Sequence, residues 1–371
     1  MAPFDRRLIS HLSWPLILFT LVLFALGVMN LYSASSLRVE TGVTTIFFYK
    51  KQLIWGAVGF VVMFACMVFD YRHLKSLVWT LYALSVGLLA WLLLFGEQIY
   101  GAKRWISLKY VSFQPTELAK LSILLLTAAY LSGIQEKLDW PRLCKLVALV
   151  LVPTTMIILQ PDLGSGLNIL LIIFGMVLVK GLNKRVFLTL LVGLPLLAPS
   201  GWFFLHDYQK ERILTFLNPE RDPLGSGYNI IQSQIAIGSG QMWGKGFLAG
   251  TQSQLRFLPE KHTDFVFAVF GEEWGFIGCL LLLSLFCIFL YQIVLTAQES
   301  KDQFGAFLSA GVFFYFFWQI LINMAMVLGL MPVVGIPLPF LSYGGSSTII
   351  NFCLVGLVLN VSMRRFVFKR G

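Results

Sequence analysis

The sequence predicts an all-α polytopic membrane protein of about ten transmembrane helices, with both termini cytoplasmic, and three observations carry that expectation. First, 57% of the 371 residues are hydrophobic and only 12% are charged, about half the charged fraction of a soluble domain. Second, apolar runs of about 18 residues or more recur along the chain, the length that a ~30 Å hydrocarbon core requires of a helix. Third, those runs are continuous rather than alternating, which excludes a transmembrane β-barrel. No internal repeat, low-complexity tract or soluble domain interrupts them, so residues 1–371 read as a single integral membrane domain.

The spans fall near 14–34, 52–69, 76–95, 115–134, 143–159, 163–180, 186–205, 265–296, 304–330 and 345–363, the eighth being overlong. The first follows Arg6 and Arg7 and is too long for the apolar region of a signal peptide, so it reads as an uncleaved span. On one side of this arrangement, short connections carry Arg72, Lys75, Lys137, Arg142, Lys145, Lys180, Lys184, Arg185 and Lys301, and the C-terminal segment adds Arg364, Arg365, Lys369 and Arg370. The positive-inside rule assigns that side, and both termini, to the cytoplasm. The formal net charge of +10 is therefore mostly topological, and no nucleic-acid partner is expected. Cys66, Cys144, Cys279, Cys287 and Cys353 lie in or beside spans without a CxxC, and read as packing residues.

Three connections on the opposite side are informative. Residues 97–114 contain "GAKRW", and a tight turn at Gln160–Asp162 opens "QPDLGSG". Residues about 206–263 form the one large extracytoplasmic loop, between spans 7 and 8. Within it Tyr228, Ile231 and Ile235 follow helical spacing, which suits an amphipathic helix lying on the membrane surface or on the top of the bundle. Pro332, Pro337 and Pro339 predict an extended or re-entrant segment after the ninth span.

Chemistry is constrained mainly by what the residue types allow. The four histidines, His11, His73, His206 and His262, are scattered, with no HExxH motif or Cys/His cluster to hold a metal. "GQMWGKG" at 240–246 misses the Walker A spacing, and no DxD pair is present. Cations do gather on the loop side: Lys103, Arg104, Arg256 and Lys261, with Lys120 one turn inside the fourth span. Such a set would suit a diphosphate. Glu117 shares a helical face with Lys120, so the two are either functional or a buried pair that satisfies itself. Thr263 is a candidate N-cap that would place Asp264 in the first turn of the eighth span. There Asp264 could act as a general base toward a hydroxyl, or simply stabilise the helix N-terminus. On that helix Glu272 and Glu273 would lie about 12 Å or more deeper, structural or supporting.

Several segments, in order along nearly the whole chain, resemble the SEDS family (shape, elongation, division and sporulation): "GAKRW", "FQPTELAK", "QPDLGSG", "DPLGSGYNIIQSQIAIGSG", "KGFLAGTQSQLRFLPEKHTDFVFAVFGEE" and "GIPLPFLSYGGSS". The wording "GTQSQLRFLPEKHTDF" is most similar to elongation members. The resemblance implies a peptidoglycan glycosyltransferase of the bacterial cytoplasmic membrane, acting on its extracytoplasmic face. It would polymerise lipid II into β-1,4 glycan strands and release undecaprenyl diphosphate, for cell elongation and rod shape. Carried onto this chain, the family's essential aspartate is Asp264, and its other polar positions match Arg104, Trp105, Glu117, Lys120 and Asp162. His262, Thr263 and Glu272 would be supporting residues. Trp274 stands where leucine is usual in the family. Implied partners are lipid II, a class B penicillin-binding protein, other elongation-complex proteins and membrane lipid. No cofactor is required, although a divalent cation could assist the diphosphate. The alternatives are a lipid II flippase, which would use the intramembrane charges as a path, and a non-enzymatic scaffold, in which Asp264 would be replaceable.

Overall fold

The structure, a computed structural model, describes residues 11–35, 48–96, 104–108, 111–222, 225–254, 257–258 and 261–365. Every predicted span corresponds to a helix whose ends differ from the expectation by about a turn at most. Eight of these helices are long and apolar enough to cross a membrane: α1 (Trp14–Ser35), α2 (Phe48–Val68), α3 (Leu74–Phe95, entered through a 3-10 turn at Tyr71–His73), α5 (Trp140–Leu159), α6 (Leu163–Lys180), α11 (Val266–Gln298), α12 (Gln303–Val327) and α13 (Gly345–Met363). The two remaining segments are α4 (Pro115–Ser132), diluted by Glu117 and Lys120, and α7 (Lys184–Gly201), which opens on Lys184-Arg185 and contains Pro195 and Pro199.

α13, α12 and α4 are buried over most of their length and form the centre of the bundle. α13 packs closely along α2, and α12 touches α4, α6 and α11. Small residues permit the close approach, as expected where lipid offers no hydrophobic drive between helices. A Cβ on Gly356 of α13 would sit 2.5 Å from the Met63 carbonyl oxygen of α2. α7 stands apart: among the described residues it packs closely only on the 3-10 turn that follows it, and Leu191, Val192 and Leu196 on its flank are exposed. A two-stranded hairpin that the sequence reading did not anticipate, β1 (Ile106–Leu108) with β2 (Val111–Phe113), precedes α4. Ser346 of α13 holds it, accepting from Gln114 N at 3.1 Å.

The long loop is itself helical, with α8 (Asp207–Leu217), α9 (Ser226–Ser239) and the single turn α10 (Thr251–Gln254). Of the two placements open to the amphipathic segment, the structure takes the top of the bundle. Ile230 and Ala236 of α9 are buried, and Ser233 Oγ donates to the Val327 carbonyl at the end of α12 at 2.8 Å. The proline-rich segment after α12 is extended, as its composition predicts.

α11 is overlong because it is two helices joined at Gly275, whose φ of 64° and ψ of −165° break the helix. A break costs the amides of residues 276 and 277 their usual acceptors, the carbonyls of 272 and 273. The loop supplies the replacements. Phe276 N donates to the Gln241 carbonyl at 2.8 Å and Ile277 N to Met242 at 3.1 Å, while the carbonyls of Glu272 and Glu273 accept from Lys245 N and Gly246 N, both at 3.0 Å. Residues 276–298 alone extend about 34 Å at ~1.5 Å per residue, enough to cross the hydrocarbon core. Glu272 and Glu273 lie just before the break, on the short helical segment that starts at Val266. The fit is close: Gly244 has φ +79° and an added Cβ would stand 2.1 Å from the Glu273 carbonyl oxygen. Gly244→Ala should therefore destabilise the protein by at least about 1–3 kcal/mol. Thermal unfolding of the purified protein checks this against Gly238→Ala, where an added Cβ meets nothing within 4 Å. Equal melting temperatures for the two variants would contradict the docking of the loop on the break.

Candidate functional site

Asp264 lies in a turn, residues 261–265, that leads into α11. The helix begins at Val266 with Phe265 at the N-cap and no side-chain cap, so the expectation that Thr263 caps it and Asp264 occupies its first turn is corrected. The cause is a backbone clamp. Three successive carbonyls are held by groups from α12 and the extended segment after it. His262 O accepts from Tyr343 N at 2.8 Å, Thr263 O from Ser342 Oγ at 2.6 Å, and Asp264 O from Asn323 Nδ2 at 3.0 Å. The same Asn323 amide donates to the Ile336 carbonyl at 2.8 Å, joining the two strands of the clamp. Asp264 is half-buried. Beside it is Gly335, at φ +73°, where a Cβ would lie 3.4 Å from Asp264 Oδ2. His262 stacks on Phe48 with centroids 4.2 Å apart, and Lys261 is buried at 6% exposure rather than open at the surface.

A second group assembles around the Gln160–Asp162 turn. Asp162 is 4% exposed and caps α6 by accepting from Ser165 N at 3.2 Å. Arg104, half-buried next to Trp105 at the start of the hairpin, donates to the Gln160 carbonyl at 3.3 Å and to that of Pro161. Facing both acids is Arg212 of α8, half-buried and outside the spans. Burial pushes its guanidinium below its ordinary range and Arg104 adds to this, whereas Tyr208, Asp162 and Asp264 act in the opposite direction. Arg212 is thus within electrostatic reach of Asp264, Asp162 and Arg104 together. The sequence reading missed it, although it lies in register with the buried Gln209 and Thr215 on the inward face of α8. Asn323 was missed as well, despite being a polar residue inside an apolar span, a signal of function by default.

One expected ligand contact falls elsewhere. Lys120 does not face a ligand: its ammonium bonds Glu117 Oε1 at 2.7 Å, with both side chains at most 3% exposed. The Tyr315 hydroxyl lies 3.3 Å from Glu117 Oε2 and 3.1 Å from Asn351 Oδ1, which completes a closed polar cluster among α4, α12 and α13. The physical reason is desolvation, since a cation this deep holds its charge only with a partner in contact. Glu272 is fully buried but remote in role. It accepts from Lys245 Nζ at 2.8 Å, Thr251 Oγ1 at 3.1 Å and Gln252 N at 2.9 Å, pinning the loop onto α11. Glu273 accepts from Ser33 of α1. Lys103 and Arg256 lie outside the described residues.

Comparison with known proteins shows the family. The model of the FtsW, RodA and SpoVE group, described as a cell cycle protein, matches residues 14–366. The peptidoglycan glycosyltransferase MrdB of Escherichia coli K12 is 38% identical over 365 residues, covering 97% of this chain and 96% of its own length. Among solved structures, a chain of a peptidoglycan synthase complex that coordinates polymerization and crosslinking superposes with a TM-score of 0.81 at 34% identity, covering 96% of this chain and 99% of that one. The rod shape determining protein RodA of Thermus thermophilus gives a TM-score of 0.71 at 31% identity, covering 96% and 98%.

The burial of the Glu117–Lys120 pair makes a stability prediction. Lys120→Met strands a buried carboxylate and should cost about 3–5 kcal/mol. The double variant Glu117→Gln/Lys120→Met should recover much of that loss in thermal unfolding. A double variant as unstable as the single one would show that the pair is not self-contained.

Proposed function

The chain belongs to the SEDS family, and from that premise we propose that it is a peptidoglycan glycosyltransferase that polymerises lipid II into β-1,4 glycan strands during cell elongation. The observation that carries the chemistry is the clamp on the carbonyls of residues 262–264, which holds the Asp264 turn within electrostatic reach of Arg212. Asp264 accepts the proton of the GlcNAc 4-hydroxyl of incoming lipid II. The oxygen attacks the anomeric carbon of the growing strand, the bond from that carbon to the phosphate oxygen breaks, and undecaprenyl diphosphate leaves. A general base of this kind contributes about 10²–10⁴-fold in rate.

Charge on the leaving diphosphate is met by Arg212 and Arg104. Arg212 comes from a loop helix and is only partly covered, so it can approach a phosphate without opening the bundle. A guanidinium also offers forked donors that a lysine lacks. Among the described residues no group of three His, Cys, Asp or Glu side chains could hold a metal ion. The distribution of Lys and Arg supports a cytoplasmic-membrane location with Asp264 on the extracytoplasmic face. Likeness to a chain of a synthase complex supports a class B penicillin-binding protein as partner.

The test is glycan synthesis from lipid II by the purified protein. Asp264→Asn should lose at least about 10²-fold in rate with an unchanged melting temperature. Wild-type polymer from that variant would eliminate Asp264 as the base, and translocation of lipid II without polymer would favour a flippase. Arg212→Ala should lower kcat by about 10²-fold or more, with Arg212→Lys intermediate. An Arg212→Ala protein with normal kcat would remove Arg212 from the mechanism.

A further inference from the structure

At the end of the bundle opposite Asp264, a cleft of about 280 Å³ opens where α3, α4 and α12 meet, lined by Arg72, Lys75, Ser132, Asp302, Gln303 and Phe304. Its volume approaches the lower end of the range for small-molecule pockets, roughly 300–1,000 Å³, and far exceeds that of one water or ion. Phe304, at 3% exposure, forms the floor.

The charges on its walls do not cancel. Asp302 is engaged on both oxygens: Oδ1 accepts from the Tyr71 hydroxyl and lies 3.8 Å from Arg72 Nε, and Oδ2 accepts from Gly305 N at 3.1 Å as the cap of α12. Arg72, with 40% of its side chain exposed, also lies over the Tyr71 ring, 5.7 Å from its centroid. Lys75 is exposed and forms no ion pair among the described residues. Two cations therefore face one committed carboxylate. Ser132 and Gln303 add neutral hydrogen-bonding groups. One turn along α3 on the face of Lys75, Trp79 is 57% exposed and begins an apolar flank. A molecule seated here has an anionic head among the cations and an apolar body along the lipid-facing side of α3.

We propose that this cleft binds the phosphate of an anionic phospholipid headgroup, held by Lys75 and Arg72 with its acyl chains descending past Trp79. Basic pockets between transmembrane helices recognise headgroups by this combination, each cation near the surface contributing about fivefold in affinity. The headgroup bridges three helices. One is α4, which carries the Glu117–Lys120 pair, and another is α12, which carries the Asn323 that holds Asp264. Occupancy therefore stabilises the helices behind the site without touching it.

The experiment is thermal unfolding and native mass spectrometry of the full chain with phosphatidylglycerol, phosphatidylcholine or inorganic phosphate. Phosphatidylglycerol should raise the melting temperature and remain bound where phosphatidylcholine does not. Lys75→Gln should weaken phosphatidylglycerol binding about fivefold and Lys75→Glu should abolish the difference between the lipids, while Lys184→Gln, elsewhere on the same end, leaves it intact. Gln303→Glu, on an exposed position, tests the cleft independently should the Lys75 variants unfold. Stabilisation by inorganic phosphate that Lys75→Glu abolishes would keep the anion site and assign it to a soluble phosphate. Equal effects of the two lipids, or a phosphatidylglycerol effect unchanged in both Lys75→Glu and Gln303→Glu, would overturn the proposal.

Discussion

Four backbone hydrogen bonds at the break in α11 govern how the loop end of this protein is built. Apolar surroundings leave no water to satisfy a freed amide or carbonyl, so a broken span must find partners from protein. Here residues 241–246 replace the two helical bonds lost across Gly275, giving two donors and two acceptors in exchange. The replacement is reciprocal. The loop closes the gap in the helix, and the helix fixes the loop, which Glu272 then locks from its side chain through Lys245, Thr251 and Gln252. The buried carboxylate of Glu272, which the sequence suggests is structural or supporting, holds one segment against another.

With the break closed, residues 266–274 form a short buried helix held on α1, where Asn30 Nδ2 donates to the Val266 carbonyl at 2.9 Å, and Asp264 immediately precedes it. Its position is determined through its backbone rather than its carboxylate. Three consecutive carbonyls taken by Tyr343, Ser342 and Asn323 leave the turn no freedom to rewind into helix. The proline-rich stretch after α12 is what makes this possible. Pro332, Pro337 and Pro339 keep it extended, and an extended chain has amides and side chains to give to a neighbour where a helix would have spent them on itself. Catalytic groups held by packing and hydrogen bonds of this kind keep their geometry through turnover, which electrostatic catalysis requires.

Most of the bundle was legible because apolar run length and charge dilution report directly on what lipid demands. α6 and α13 begin and end where the sequence places them. The overlong eighth span was visible as an anomaly, but its cause lay some 30 residues upstream in the loop, and no local pattern connects Gln241 to Phe276. The site was legible in part. Asp264, Arg104 and Asp162 stand out as charges beside apolar runs. Thr263 was misread as a cap because Ser342 and Tyr343, which redirect the turn, are about 80 residues away. Arg212 hid in a charged stretch, "HDYQKERILTFL", where only the fold distinguishes the one guanidinium turned inward.

The exchange of Lys120 for Arg212 as the diphosphate contact follows from a difference in desolvation. Lys120 and Glu117 are both sealed within the bundle, and separating them to serve a ligand would leave two uncompensated charges in a low-dielectric interior. Arg212 carries the opposite balance. It is already near two carboxylates and a second guanidinium, partly covered, and its charge is opposed by burial and by Arg104. In the proposed mechanism a diphosphate between Arg212 and Arg104 would screen their mutual repulsion without breaking a completed buried pair. Asp162 and Asp264 already act on Arg212 as counter-charges, so in that mechanism Asp264 would serve as counter-charge in one half of the cycle and as proton acceptor in the other.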